Sequence, residues 1–287
     1  MRVFGWSIVA LVAVGVGACG DGSEDVRAGT PTRDPNQRYE VDATVLSSNE
    51  HGPELCAGAI AASLPPQCGG PPIANFDWSS VEDKESAGDT TWAELHLVGT
   101  FDGTTFTLTA PPEPPVREPQ PPEPRFDTPC ATPAGGWRVV DDAKISNPHW
   151  IAVGQYAREQ PDFAGSWVDQ SINPDGPTND ETKLVLNLRF TDDLDTHERE
   201  TRARWGGPLC VSEARHTQAS LQEVQSVVSS DEAKAAGLQT LSASVDEVRN
   251  LVEIEALLAD EVVEQWVDER FGPGIVELRG RLRPVDD

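Results

Sequence analysis

The chain is poor in positive charge. Lys and Arg together number 22 against 48 Asp and Glu, for a formal net charge of −26, and lysine is confined to Lys84, Lys144, Lys183 and Lys234. So acidic a chain repels phosphate, which argues against nucleic acid as a partner and against an electrostatic contact with anionic lipid. Long apolar runs are also missing. A spanning helix takes about 20 apolar residues, and the run at residues 4–16 is shorter. The strings that carry familiar chemistry are absent as well. Gly165-Ser166-Trp167 does not make the G-x-S-x-G turn that exposes a nucleophilic serine. His197-Glu198 is followed by Arg199-Glu200-Thr201, so the second histidine of a zinc-binding H-E-x-x-H is lacking. His51, His96, His149 and His216 have no ligand spacing. No catalytic residue, cofactor-binding residue or metal ligand is therefore expected. An enzyme whose residues converge only in space is the alternative these absences leave.

What is present begins at the N-terminus. Arg2 precedes the apolar run, and the small residues Gly15, Gly17 and Ala18 crowd its end before Cys19. This is the layout of an export signal, whose apolar region runs roughly 7–15 residues. Val16-Gly17-Ala18-Cys19 resembles the bacterial lipobox, with glycine in a place where it is not the commonest choice. The resemblance implies that residues 1–18 are a lipoprotein signal peptide and that Cys19 receives lipid, palmitate included. It further implies that the protein stays on the extracytoplasmic face of the cell membrane. Cysteine is required there because its thiolate forms the thioether.

The remaining cysteines, Cys56, Cys68, Cys130 and Cys210, form an even set in an exported chain, which suggests two disulfides. Cys56 and Cys68 are close enough in sequence to staple one loop. Cys130 and Cys210 then pair by elimination.

Residues 19–38 are Gly, Asp, Thr and Pro with almost no large apolar groups and read as a flexible tether. Residues 39–110 read as a small β-rich domain. Residues 39–46 alternate like a strand, and residues 92–101 and 104–109 form a hairpin about Asp102-Gly103, whose positive φ angles a tight turn needs. Phe76, Trp78 and Trp92 are its expected core. Residues 111–136 contain Pro-Pro-Glu-Pro twice and read as a semi-rigid Pro-rich linker.

From Trp137 to the end the pattern is mixed. Helices are expected at about 147–160, 192–205, 217–230 and 260–270, and strands at 165–169, 183–191, 208–214, 238–245, 251–256 and 274–282. Acids at Asp192, Asp193 and Asp195 suit a helix start, and Gly206-Gly207 reads as its stop. Leu184–Phe190 aligns with Leu251–Leu257, and Trp205–Val211 with Phe271–Glu277, one residue out of register. This predicts an internal repeat, about 163–215 and 238–283, of tandem ββαβ-like modules. The fold class is then α+β: a β-rich N-terminal domain, a Pro-rich spacer, and an α+β domain at 137–287.

Phe163–Asp169, residues 183–191 and Ala219–Gln225 resemble pro-region modules of secreted serine proteases of the α-lytic protease and streptogrisin type. Those modules chaperone or inhibit a protease, but no protease domain follows here. The layout, with its Arg, Ala and Val bias, also resembles actinobacterial lipoproteins of uncharacterised type.

Ser171, Asn173, Asp175 and Gly176 match the start of a calcium-binding loop. The twelfth place is Thr182, where such a loop needs a bidentate glutamate. The expectation is a lipid-anchored protein with a non-enzymatic binding or scaffolding role at the cell envelope, its partner another exported protein. A small-ligand or Ca²⁺-binding surface lipoprotein is the alternative.

Overall fold

The computed structural model describes residues 33–116, 125–173, 175–176 and 179–285. Cys19, the signal segment, most of the tether and the middle of the Pro-rich linker lie outside the described residues.

Strict alternation builds the first sheet. In β1 (Arg38–Ser47) Tyr39, Val41, Ala43 and Val45 point inward, while Glu40 and Asp42 point outward. Short β2 (Glu54–Cys56), β3 (Ile73–Ala74) and β4 (Glu85–Ala87) precede the long β5 (Thr90–Phe101) and β6 (Phe106–Leu108). β5 lies antiparallel to β1, setting Val41 opposite Leu97 and Ala43 opposite Leu95. Because Ala93, Leu95 and Leu97 face inward, Trp92 falls on the other face; it is half-buried and lies outside the core it was expected to join. Phe76 and Trp78 do pack on that core, edge to face at 4.9 Å. Only Gly103 takes positive φ in the β5–β6 turn (+98°). Asp102 instead accepts the N–H groups of Thr104 and Thr105 at 2.8 Å each through Oδ1. Its short side chain supplies the turn that a positive φ at Asp102 was expected to supply.

The C-terminal half is mixed α and β, as the periodicities indicate. α1 (Asn147–Glu159) precedes β7 (Phe163–Asp169), β8 (Val185–Phe190), α2 (Leu194–Arg204) and β9 (Leu209–Glu213). Next come α3 (Gln218–Val227) and α4 (Asp231–Ala235), then β10 (Thr240–Asp246), β11 (Leu251–Ala256), α5 (Glu261–Phe271), β12 (Val276–Gly280) and β13 (Arg283–Pro284). β7, β8 and β9 form one three-stranded sheet, antiparallel then parallel. β10, β11 and β12 form another with the same order and directions. Each first strand has an irregular register near its start, at Phe163/Gly165 and at Thr240/Ser242.

Gly206 and Gly207 end α2 by close packing rather than by a left-handed cap. Trp205 is already extended there, at φ −127°. A Cβ on Gly206 would lie 1.9 Å from the Asp141 carbonyl oxygen, and one on Gly207 would lie 2.6 Å from the Trp205 ring.

The far end of the chain completes the near end. β13 pairs with β1, placing Pro284 opposite Tyr39. Leu257, Leu258 and Leu282 enter the same core as Val41, Leu97 and Phe106. The sheet built from 39–110 therefore shares both a strand pairing and an apolar core with the C-terminal region, a contact on which the sequence is silent.

The two small sheets differ on the face turned away from their helices. Behind β7–β9 stand Trp167, Asn187 and Cys210, opposite one another in register. Residues 126–130 cover them: Trp167 donates its indole N–H to the Phe126 carbonyl (3.1 Å), and Asn187 donates to Thr128 Oγ1 (3.1 Å). Behind β10–β12 stand the exposed Ser244 and the half-buried Glu253 and Glu277, the two glutamates laced to Arg249 and Arg279 by ion pairs. The covered face is apolar apart from Asn187, whose amide N–H groups are bonded while its buried Oδ1 has no hydrogen-bond partner among the described residues; the uncovered face is charged.

Candidate functional site

The site that stands apart is a clamped loop in the first half. Its base is rigid. Leu55 is fully buried, Cys56 pairs with Thr44 of β1, and Leu55 donates its N–H to the Pro71 carbonyl (2.9 Å). The returning strand runs so close that a Cβ on Gly70 would sit 1.8 Å from the Leu55 oxygen, so only glycine fits there. A disulfide between Cys56 and Cys68 closes the neck, with the Cα atoms 5.6 Å apart.

Above the neck the chain is held by its own polar atoms. Ala61 N–H donates to the Gln67 carbonyl, Ser63 N–H to the Ala61 carbonyl, and Ser63 Oγ–H to the Pro65 carbonyl, each at 2.8 Å. Pro65-Pro66 follows and fixes φ at both positions. The product is an ordered loop whose residues 59–64, Ala-Ile-Ala-Ala-Ser-Leu, are all exposed. Leu64 is 80% exposed and Ile60 40%. No charged side chain occurs between Glu54 and Asp77.

Single exposed apolar residues are ordinary, but a run of them on an ordered loop is not. Covering Leu64 would stabilise by about 1.5–3 kcal/mol and covering the part-buried Ile60 by less, and the clamp has already removed much of the ordering cost that a free loop would carry into binding. The stapling of this loop was legible from the cysteine spacing. Its apolar tip was missed, although the uncharged stretch in so acidic a chain was the available signal.

Cys130 and Cys210 are joined, with Cα atoms 5.8 Å apart, which fastens the end of the Pro-rich segment to β9. Two disulfides fit an oxidising, extracytoplasmic compartment. No helix among the described residues is long and apolar enough to cross a membrane.

In the would-be calcium loop several oxygens are bonded to the chain itself, and the exposed Asp175 carboxylate lies 3.6 Å from Lys183. Asn173 is buried; it donates to the Gly176 carbonyl and accepts the Asp175 N–H at 3.3 Å. Asp180 accepts the Thr182 N–H, so this carboxylate too is bonded within the loop, and Asp169 just ahead of the loop accepts the Ser171 N–H. Asp192, Asp193 and Asp195 line an open cleft of about 340 Å³ with Glu213. Asp193 is the N-cap of α2, at φ 52° and without a side-chain capping bond, and Asp195 stands in the first turn, where helix-start acids were expected. A further open cleft, of about 390 Å³, lies where Arg33 pairs with Asp260 beside Tyr39 and Glu264.

One buried relay has the look of catalytic machinery. His197 donates from Nε2 to Asp162 (2.8 Å), and the Tyr156 hydroxyl lies 2.8 Å from Nδ1, with the imidazole stacked on Phe190 at 3.8 Å. Burial, with Glu200 nearby, pushes the Tyr156 hydroxyl up from its ordinary value, opposite to what a phenolate nucleophile needs. The relay satisfies polar atoms between α1 and α2.

No family model matches the sequence, and no curated protein matches it.

Proposed function

We propose that this protein is a lipid-anchored, extracytoplasmic lipoprotein with a non-enzymatic binding or scaffolding role at the cell envelope. The observation that carries the binding role is the clamped loop, which holds Ile60 and Leu64 in solvent on a rigid base. An ordered apolar tip that no described residue covers has its natural use in contact with another molecule. The anchoring half of the reading rests on Val16-Gly17-Ala18-Cys19 and on the two disulfides.

The body reads as two ββαβ modules, 163–215 and 238–283, arranged as a tandem repeat. Support comes from the shared strand order, the shared directions and the matching irregularity at the head of β7 and β10. In this reading the modules form the scaffold. The C-terminal end also closes the core beneath the sheet that bears the loop.

The test is metabolic labelling with an alkynyl palmitate in the producing cell, combined with fractionation. The wild-type chain should take the label and sediment with membranes, whereas Cys19→Ser should lose the label and appear in the medium. Unchanged fractionation of Cys19→Ser would remove the anchor from this reading.

A further inference from the structure

Residues 125–130 lie as a strap across the helix-free face of β7–β9. Trp167 donates its indole N–H to the Phe126 carbonyl (3.1 Å), Asp169 accepts the Thr128 N–H (2.8 Å), and Asn187 donates to Thr128 Oγ1 (3.1 Å). The strap adds no side chain to the core of the module. Arg125, Asp127 and Pro129 are exposed, and Phe126 is 53% exposed. Beneath it Trp167, Val185, Asn187 and Cys210 are all buried. Three hydrogen bonds hold weakly against the freedom that five residues regain on release. The remaining attachment is covalent, the Cys130–Cys210 disulfide.

We propose that this disulfide is a redox lock on a removable strap: opening it lifts residues 125–129 and bares the Trp167–Asn187 face while the module stays folded. The core that holds the module lies on the opposite face, where Leu186, Leu188, Phe190, Trp205 and Leu209 pack together. A sheet of this topology also stands without a strap, since β10–β12 has the same strand order and carries ion pairs on the corresponding face. The cover itself is imperfect. Asn187 Oδ1 is buried with no hydrogen-bond partner among the described residues, and lifting the strap gives it water. Past the lock, Val140 donates its N–H to the Gly206 carbonyl (2.7 Å), so the lifted segment stays tied to the module and can return.

The opening reagent is a protein dithiol, a pair of neighbouring cysteines on another exported protein. One of its thiolates attacks Cys130 Sγ, because Cys130 is half-buried whereas Cys210 is 1% exposed. The Cys130–Cys210 bond breaks, Cys210 leaves as a thiolate and takes a proton, and a mixed disulfide forms at Cys130. The second thiol of the pair then displaces Cys130, which takes the other proton. Two electrons and two protons pass to this chain, and the dithiol ends as a disulfide.

The test is hydroxyl-radical footprinting of the full chain, read by mass spectrometry at Trp167 and at Trp205, which is fully buried in the module core. In Cys130→Ser, oxidation of Trp167 should rise at least about threefold while Trp205 stays protected. The Cys210 thiol should then be alkylated under native conditions. A protected Trp167 would show that the strap holds without the lock, and a Trp205 that rises with it would show that the module unfolds; either overturns the inference. The wild-type chain supplies the second measurement, with dithiothreitol as the probe dithiol, alkylation of each cysteine followed, and footprinting after desalting. Exposure of Trp167 should track the opening of Cys130–Cys210 and reverse on reoxidation. Exposure that tracks Cys56–Cys68 instead, or that does not reverse, would also overturn the lock.

Discussion

Gly165 and Glu247 meet across the two small sheets. A Cβ on Gly165 would lie 2.8 Å from the Cβ of Glu247, whose carboxylate accepts the Ser166 N–H at 2.8 Å and the Gln218 side-chain amide at 2.7 Å. The irregular start of β7 is thus closed by a residue from the β10–β11 turn. Arg189 adds a second link, donating to the Val248 carbonyl at 2.7 Å.

Gly165→Ala is expected to destabilise the fold by about 1–3 kcal/mol. It places a side chain at φ +147° and pushes Glu247 off the Ser166 N–H. Urea unfolding of Gly165→Ala, Glu247→Ala and the double variant separates the two effects. Glu247→Ala should be costly alone and should cost less when added to Gly165→Ala, because the contact is already broken. Strict additivity would show that the two residues are not coupled.

Replacing both Cys130 and Cys210 by alanine should remove about 4 kcal/mol, from the chain-entropy relation for the long loop they close. The Cys56/Cys68 pair closes a much shorter loop and should be worth about 3 kcal/mol. Equal losses, or a larger loss for the short loop, would count against the entropic account. Alkylation under denaturing, non-reducing conditions should find none of these four thiols free.

Acid should destabilise the protein in two steps. Burial, with Arg215 alongside, lowers the His216 pKa, so its neutral form belongs to the fold. Its contribution is complete above the unfolded value of about 6.5 and is lost as pH falls from there to the folded value. Asp169 is the second. Burial alone would raise it, but hydrogen bonds from Ser171 and Thr128 outweigh burial and hold it below the usual carboxylate range. Its contribution is complete above about pH 4 and is lost as pH falls through the lowered value. Urea midpoints measured from pH 8 to pH 3 should lose the upper step in His216→Gln, and the lower step should shrink in Asp169→Asn. A profile unchanged by either substitution would show that other groups set the acid limit.

Much of the fold was legible because its elements announce themselves locally. Alternation placed β1, β5 and β8, while the apolar stripe of Leu221 and Val224 placed α3. Cysteine spacing supplied the Cys56–Cys68 disulfide, and elimination the Cys130–Cys210 one. β13 was not legible as part of the first sheet, since two residues of strand carry no periodic signal and their partner lies at the opposite end of the chain. Nor was the role of Gly206 and Gly207, because a close approach to Asp141 or Trp205 leaves no mark on the residues nearby.

The sequence by itself determined the acidity, the cysteine pairs, the apolar faces and the order of strands and helices, all of which follow from local chemistry and spacing. Tertiary structure alone decided which faces are covered. The Trp167–Asn187 face lies under residues 126–130, and the Leu257–Leu282 edge closes the core of the first sheet. Among the described residues nothing covers the tip from Ala59 to Leu64. A side chain's burial is set by what arrives from distant sequence, and an apolar residue reads the same whether a neighbour reaches it or not.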